Sequence, residues 1–116
     1  MPWSVPTVEV SQLPVDGEPA DGVLMDVREP EEWAAGHAPG AVHLPMTDLP
    51  ARLGELPGDG TVYVICRSGG RSARVTAYLN ANGWEAVNVE GGMLEWQAAG
   101  RPMVADRDDH GPPQVL

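Results

Sequence analysis

The sequence has 116 residues, 42% hydrophobic and 21% charged, the length and balance of one globular domain with a modest core. Its net charge of −10 argues against nucleic acid or an anionic membrane surface as partner, since both need a broad basic face, and no run reaches transmembrane length. All seven basic residues are arginine, which excludes a Schiff-base lysine, and the one cysteine excludes an intramolecular disulfide and leaves no metal-ligand grouping.

Residues 1–6 carry two prolines and neither a basic nor an apolar leader stretch, so they read as a loose lead-in to a protein of the reducing cytoplasm. Thr7 to Val10 is a short strand candidate, Ser11 to Leu13 a brief helical turn, and residues 16–22 an exposed turn-rich link. Val23 to Val27 is an apolar run closing on polar residues, as expected of an inner parallel strand whose C-terminal end faces a crevice. Pro30, Glu31 and Glu32 open a short helix that Gly36 stops; a turn at 37–40 then leads to a short strand at Ala41 to Leu44. Residues 47–54 fit a helix of one to two turns, capped by Thr47 or Asp48, with Leu49 and Leu53 toward the core.

Thr61 to Ile65 reads as a buried strand, and after a loop Ser72 can cap a helix ending at Asn82-Gly83, with Ala73, Val75, Thr76, Ala77 and Leu79 on its apolar face. Ala86 to Val89 is a further strand, Gly91-Gly92 a tight turn, and residues 93–99 a helix ended by Gly100, with Trp96 as core packing. This alternation predicts a single α/β domain over 7–104 with a mainly parallel sheet, and places the loop after strand 61–65 at the sheet's C-terminal edge, where ligands bind. Residues 105–116, acidic, Pro-rich and without periodicity, are expected to form a flexible tail, His110 included, that turnover does not need.

The loop itself, Cys66-Arg67-Ser68-Gly69-Gly70-Arg71-Ser72, holds the only cysteine. Residues 60–84 contain no acid but carry Arg67, Arg71 and Arg74, a local +3 within a net −10, so the remainder sums to −13. Successive N–H groups in such a loop converge as a nest while the following helix adds its positive end. A thiolate there is expected to have a depressed pKa, in the range of roughly 3.5–7.5. Gly69 and Gly70 would let the loop take positive φ and bring amides to the sulfur. Asp26, Arg28, Glu31 and Glu32 read as an ion-pair cluster fixing strand ends, because a preformed thiolate needs no carboxylate base. His37 is expected to bond a backbone carbonyl, and His43 is assigned no role.

Cys66 to Ser72 resembles the active-site loop of rhodanese-type sulfurtransferases. The strand end Asp26-x-Arg28, leading through an acidic helix to Gly36-His37-Ala38-Pro39-Gly40-Ala41, resembles a second rhodanese signature, and Gly91-Gly92-x-x-x-Trp96 followed by Gly100-x-Pro102 a third. The resemblance implies a single rhodanese-like domain in which Cys66 carries a persulfide sulfur. Arg67, Ser68, Gly69, Gly70, Arg71 and Ser72 would hold the substrate, and Asp26, Arg28 and His37 would give structural support. It implies a small anionic sulfur donor such as thiosulfate, or a protein persulfide, a thiol or cyanide as acceptor, and no metal or organic cofactor. Two alternatives stand beside it: a rhodanese-like module that only binds a partner, and a cysteine phosphatase, although such enzymes space their arginine Cys-x5-Arg whereas Arg71 is the fifth residue after Cys66.

Overall fold

A computed structural model describes residues 5–106 and 112–116. Five strands, β1 (Thr7–Glu9), β2 (Gly22–Asp26), β3 (Val42–His43), β4 (Thr61–Ile65) and β5 (Glu85–Glu90), form one sheet in the order β1-β5-β4-β2-β3, with every pair parallel. Four helices accompany them: α1 (Pro30–Ala35), α2 (Leu49–Arg52), α3 (Gly70–Ala81) and α4 (Gly92–Ala98). The architecture is α/β, a single domain around one sheet.

β4 lies at the centre, and both of its faces are covered, which is why its sequence does not alternate between apolar and polar. Val62 and Val64 pack with Val75, Leu79 and Leu49 of α3 and α2 on one face. Ile65 packs on the other with Leu24, Val89, Met93 and Trp96 of α4. The Trp96 ring is fully buried and its indole N–H donates to the Pro102 carbonyl at 2.9 Å. The registers Met25↔Val64 and Val64↔Asn88 bring the C-terminal ends of β2, β4 and β5 to one edge of the sheet.

Several boundaries differ from the sequence reading. Val10 starts a 3-10 turn rather than extending β1. Residues 46–55 divide into 3-10, α and 3-10 turns with no side-chain cap, since Pro45, Pro50 and Gly54 leave room for only one α turn. Gly36 ends α1 with extended backbone at φ 169°; it is small because Gln114 and Met103 pass over it, 2.6 Å from where a Cβ would stand.

The C-terminal residues depart furthest from expectation. His37 and Val104 exchange both backbone hydrogen bonds at 2.9 Å, and Asp106 accepts from the Trp33 indole at 3.0 Å. Gln114 N–H donates to the Ala35 carbonyl at 2.9 Å, and Val115 packs on the Trp96 side of the core. Residues 112–116 are therefore laid against the domain, through apolar contact and main-chain bonds that the lack of any helix or strand pattern in 105–116 did not reveal. His110 lies outside the described residues. Among those residues no helix is long and apolar enough to cross a membrane, and no group of three or more His, Cys, Asp or Glu could hold a metal ion.

Candidate active site

Cys66 follows the last residue of β4 and is 1% exposed. Its Sγ accepts the backbone N–H of Gly69 at 3.1 Å and of Ser72 at 3.3 Å, and lies 3.2 Å from Ser72 Oγ. The expected cap, Ser72, is not at the helix end. α3 begins two residues earlier, its N-cap is Gly69 at φ 114°, and that glycine has no side chain to accept the first-turn N–H groups. The sulfur takes over that role, so the helix's positive end is aimed at it. Gly70 is the first helical residue and does not have positive φ; of the two loop glycines, only Gly69 uses the left-handed region.

The loop's outer side is held by α4. Met93 N–H donates to the Cys66 carbonyl at 2.8 Å and Leu94 N–H to the Arg67 carbonyl at 3.0 Å. With those carbonyls engaged outward, the loop turns N–H groups toward the sulfur. Burial pushes the Cys66 thiol up, but the Ser72 hydroxyl and then the backbone N–H groups of Ser72, Gly69 and Ser68 outweigh it, so the thiol titrates below its usual range.

The arginines are less free than the sequence suggested. Arg71 makes a two-pronged ion pair with Glu32 of α1, Nη1 to Oε1 at 2.7 Å and Nη2 to Oε2 at 3.0 Å. Glu32 also accepts the Glu29 N–H in a capping box at the start of α1. The Arg71 hydrogen bond holds the Glu32 carboxyl below its ordinary pKa despite partial burial. Arg67 Nε donates to the Leu116 carbonyl at 2.6 Å, and Arg74 is exposed on α3.

Beneath the loop, Asp26 and Arg28 are both fully buried and bonded to each other, with Arg28 Nη2 to Asp26 Oδ2 at 2.8 Å. The same Nη2 donates to the Gly36 carbonyl at 2.7 Å, which ties the end of β2 to the end of α1. His37 Nδ1 donates to the Trp33 carbonyl at 2.7 Å, and its ring stacks on the Trp33 indole at 3.5 Å. His43, assigned no role from sequence, stacks on Trp33 at 4.7 Å and bonds the Arg28 carbonyl at 2.8 Å.

The family model described as the rhodanese-like domain matches residues 8–99. The chain belongs to the rhodanese-like domain family. It is 43% identical over 97 residues to a protein of Allochromatium vinosum named sulfurtransferase, covering 83% of this chain and 89% of that one. It is 48% identical over 79 residues to YtwF of Bacillus subtilis, covering 68% of this chain and 77% of the relative. Among solved structures it is similar to a rhodanese-like domain protein from Staphylococcus aureus, with 36% identity, a TM-score of 0.70, and coverage of 78% and 90% of the two chains.

In this rhodanese-like domain, Gly69 and Ser72 of the loop meet the Cys66 sulfur, Arg67 and Arg71 are turned to Leu116 and Glu32, and Asp26, Arg28 and His37 bond other backbone and side-chain groups rather than the sulfur. Sequence reasoning missed Asn88, whose Oδ1 lies 2.5 Å from Ser72 Oγ. A signal existed: Asn88 is the one polar residue between Ala86 and Val89, in a strand buried on both sides. The backbone donors of α4 were beyond reach, since any residue but proline supplies an N–H.

Proposed function

We propose that the protein is a sulfurtransferase working through a persulfide on Cys66. The Cys66 thiolate attacks the outer sulfur of thiosulfate, a bond forms between the two sulfurs, and sulfite leaves with the electron pair of the broken S–S bond. An acceptor, cyanide or a thiolate, then attacks the outer sulfur of the persulfide; it takes that sulfur away and the Cys66 thiolate is restored. A persulfide on another protein can stand in for thiosulfate, with its thiolate leaving instead of sulfite.

The observation that carries this reading is the pair of N–H groups, from Gly69 and Ser72, converging on a single buried sulfur. They favour the anionic form at every stage, whether the charge is on Cys66 itself or on an added sulfur. Family membership and the named sulfurtransferase relative point the same way. The position of Arg71 supports sulfur over phosphate chemistry: its guanidinium is occupied by Glu32, whereas a phosphate cradle needs that arginine on the substrate oxygens. Ser68 and Gly70 shape the loop, and Arg67 is the cation on the rim that would meet an anionic donor.

Intact mass spectrometry under non-reducing conditions tests the proposal. Thiosulfate should add one sulfur atom, cyanide should remove it, and Cys66→Ser should abolish both events. A folded protein that acquires no sulfur from thiosulfate or from a small persulfide would refute it and favour a module that only binds a partner.

A further inference from the structure

Asn88 projects from β5 on the same side as Ala86, toward α3, and is 7% exposed. An apolar side chain would fill that place without the cost of burying a carboxamide. Its Oδ1 stands 2.5 Å from Ser72 Oγ, which is itself fully buried and 3.2 Å from Cys66 Sγ. Three polar side chains from the end of β4, from α3 and from β5 thus form one line that ends on the sulfur.

The direction of that line is constrained by proton counting. A serine hydroxyl has one proton to give and lone pairs to accept with. When Cys66 is a thiol, S–H donates to Ser72 Oγ and the Ser72 hydroxyl donates to Asn88 Oδ1, so each proton along the line has an acceptor. When Cys66 is a thiolate it can only accept, and the Ser72 proton serves it only by turning inward. That turn would leave Ser72 Oγ facing Asn88 Oδ1, acceptor against acceptor. A half-turn of the Asn88 carboxamide removes the conflict, because it presents Nδ2–H to Ser72 Oγ with no change of shape.

We propose that Asn88 is a positioning residue whose carboxamide reverses with the state of the Cys66 sulfur, so that Asn88, Ser72 and Cys66 form a two-way hydrogen-bond chain. It donates outward from a thiol and inward to a thiolate. This rests on the reading of Cys66 as the reacting sulfur, which returns to thiolate at the end of each turnover. Asparagine suits the task because it carries a donor and an acceptor on one rotatable group; aspartate would offer acceptors alone.

The test is the pH dependence of Cys66 alkylation by iodoacetamide, measured without any sulfur donor. Because the protein has one cysteine, every label reports Cys66. The charged groups on the surrounding elements are Arg67 and Arg71 of the loop, the exposed Arg74 of α3, Glu32 of α1, Asp26 and Arg28 at the end of β2, and the exposed Glu85 and Glu90 of β5 and Glu95 of α4. All stay unchanged. Asn88→Asp should hold the Ser72 proton outward and move the alkylation midpoint up by about one pH unit, roughly tenfold less thiolate at a given pH below it. Ser72→Ala should move it up as well, and Asn88→Asp placed on top of Ser72→Ala should add little, since the relaying hydroxyl is gone. Asn88→Ala frees the hydroxyl to face the sulfur and should leave the midpoint level or lower.

Equal upward shifts for Asn88→Asp with and without Ser72 would overturn the proposal, for the carboxylate would then be acting through space. So would an upward shift in Asn88→Ala. If Asn88→Asp does not fold, the upward shift expected for Ser72→Ala and its absence in Asn88→Ala still decide. Failure of sulfur transfer would leave these midpoints readable, so the two readings fail separately.

Discussion

Gly92 is the position at which a single methyl group should do most harm to the site. It sits at the first residue of α4 with φ +56°, and a Cβ there would lie 2.6 Å from the Arg67 carbonyl oxygen and against the Cys66 carbonyl oxygen. Both are rigid backbone atoms, the ones that α4 holds through Met93 and Leu94. Gly92→Ala therefore adds left-handed strain of about 1–2 kcal/mol to overpacking of about 1–3 kcal/mol. The sum, about 2–5 kcal/mol, is a large part of the ~5–15 kcal/mol that holds a domain together. At about 4 °C per kcal/mol for a domain of this size, the midpoint of thermal unfolding should fall by roughly 8–20 °C. Relief of the clash must also move the loop off α4, so sulfur transfer measured at a temperature where the variant is folded should drop as well. Two neighbours calibrate the reasoning. Gly69→Ala meets no atom nearer than 3.6 Å but keeps φ at +114°, so it should lose only the strain, about 1–2 kcal/mol. Gly70→Ala meets nothing within 4 Å on an ordinary helical residue and should be neutral or stabilising by about 0.5 kcal/mol. Melting followed by circular dichroism gives the ranking. Gly92→Ala melting no lower than Gly69→Ala, or Gly70→Ala as damaging as either, would refute the idea that α4 clamps the loop.

Glu32→Gln should release Arg71 toward the mouth of the loop and lower KM for thiosulfate severalfold in a steady-state transfer assay. The same pair sets a pH dependence: the Glu32 carboxyl is held below its ordinary value, so its contribution is complete above about pH 4.5 and is lost as pH falls through the lowered pKa, and the acid-melting curve of Glu32→Gln should lack that loss. Arg28→Met strands the fully buried Asp26 carboxylate and should cost about 3–5 kcal/mol in urea unfolding, of which Asp26→Asn in the same chain should restore a part. Removing residues 112–116 strips partly buried Val115 from the edge of the core and frees Arg67 from Leu116; the melting midpoint should fall by several degrees while thiosulfate transfer is kept or improved.

The parts of this protein that depend on neighbours along the chain were legible in its residues. Largely apolar runs at 23–27 and 61–65, short and bounded by turn signals, read as inner strands of a covered parallel sheet, and a lone cysteine among Gly-Gly and three arginines, directly after such a strand, reads as a sulfur in an anion-favouring turn. Those inferences use local rules of periodicity, turn chemistry and charge. Which groups meet from distant elements became visible in the folded domain alone. Arg71 looked like a substrate cation because its partner Glu32 is 39 residues away and becomes a neighbour only when α1 packs beside the loop. Ser72 looked like a helix cap because nothing local says that Cys66 Sγ would accept the first-turn N–H groups and that the hydroxyl would be drawn between Cys66 and Asn88. Residues 112–116 looked free because main-chain bonds to Ala35 and to the Gln97 side chain are blind to side-chain type at 114 and 115. Backbone hydrogen bonds and long-range ion pairs have no sequence period, so a loop whose N–H groups favour an anion was legible in the chain while the partners of its arginines had to be seen in the fold.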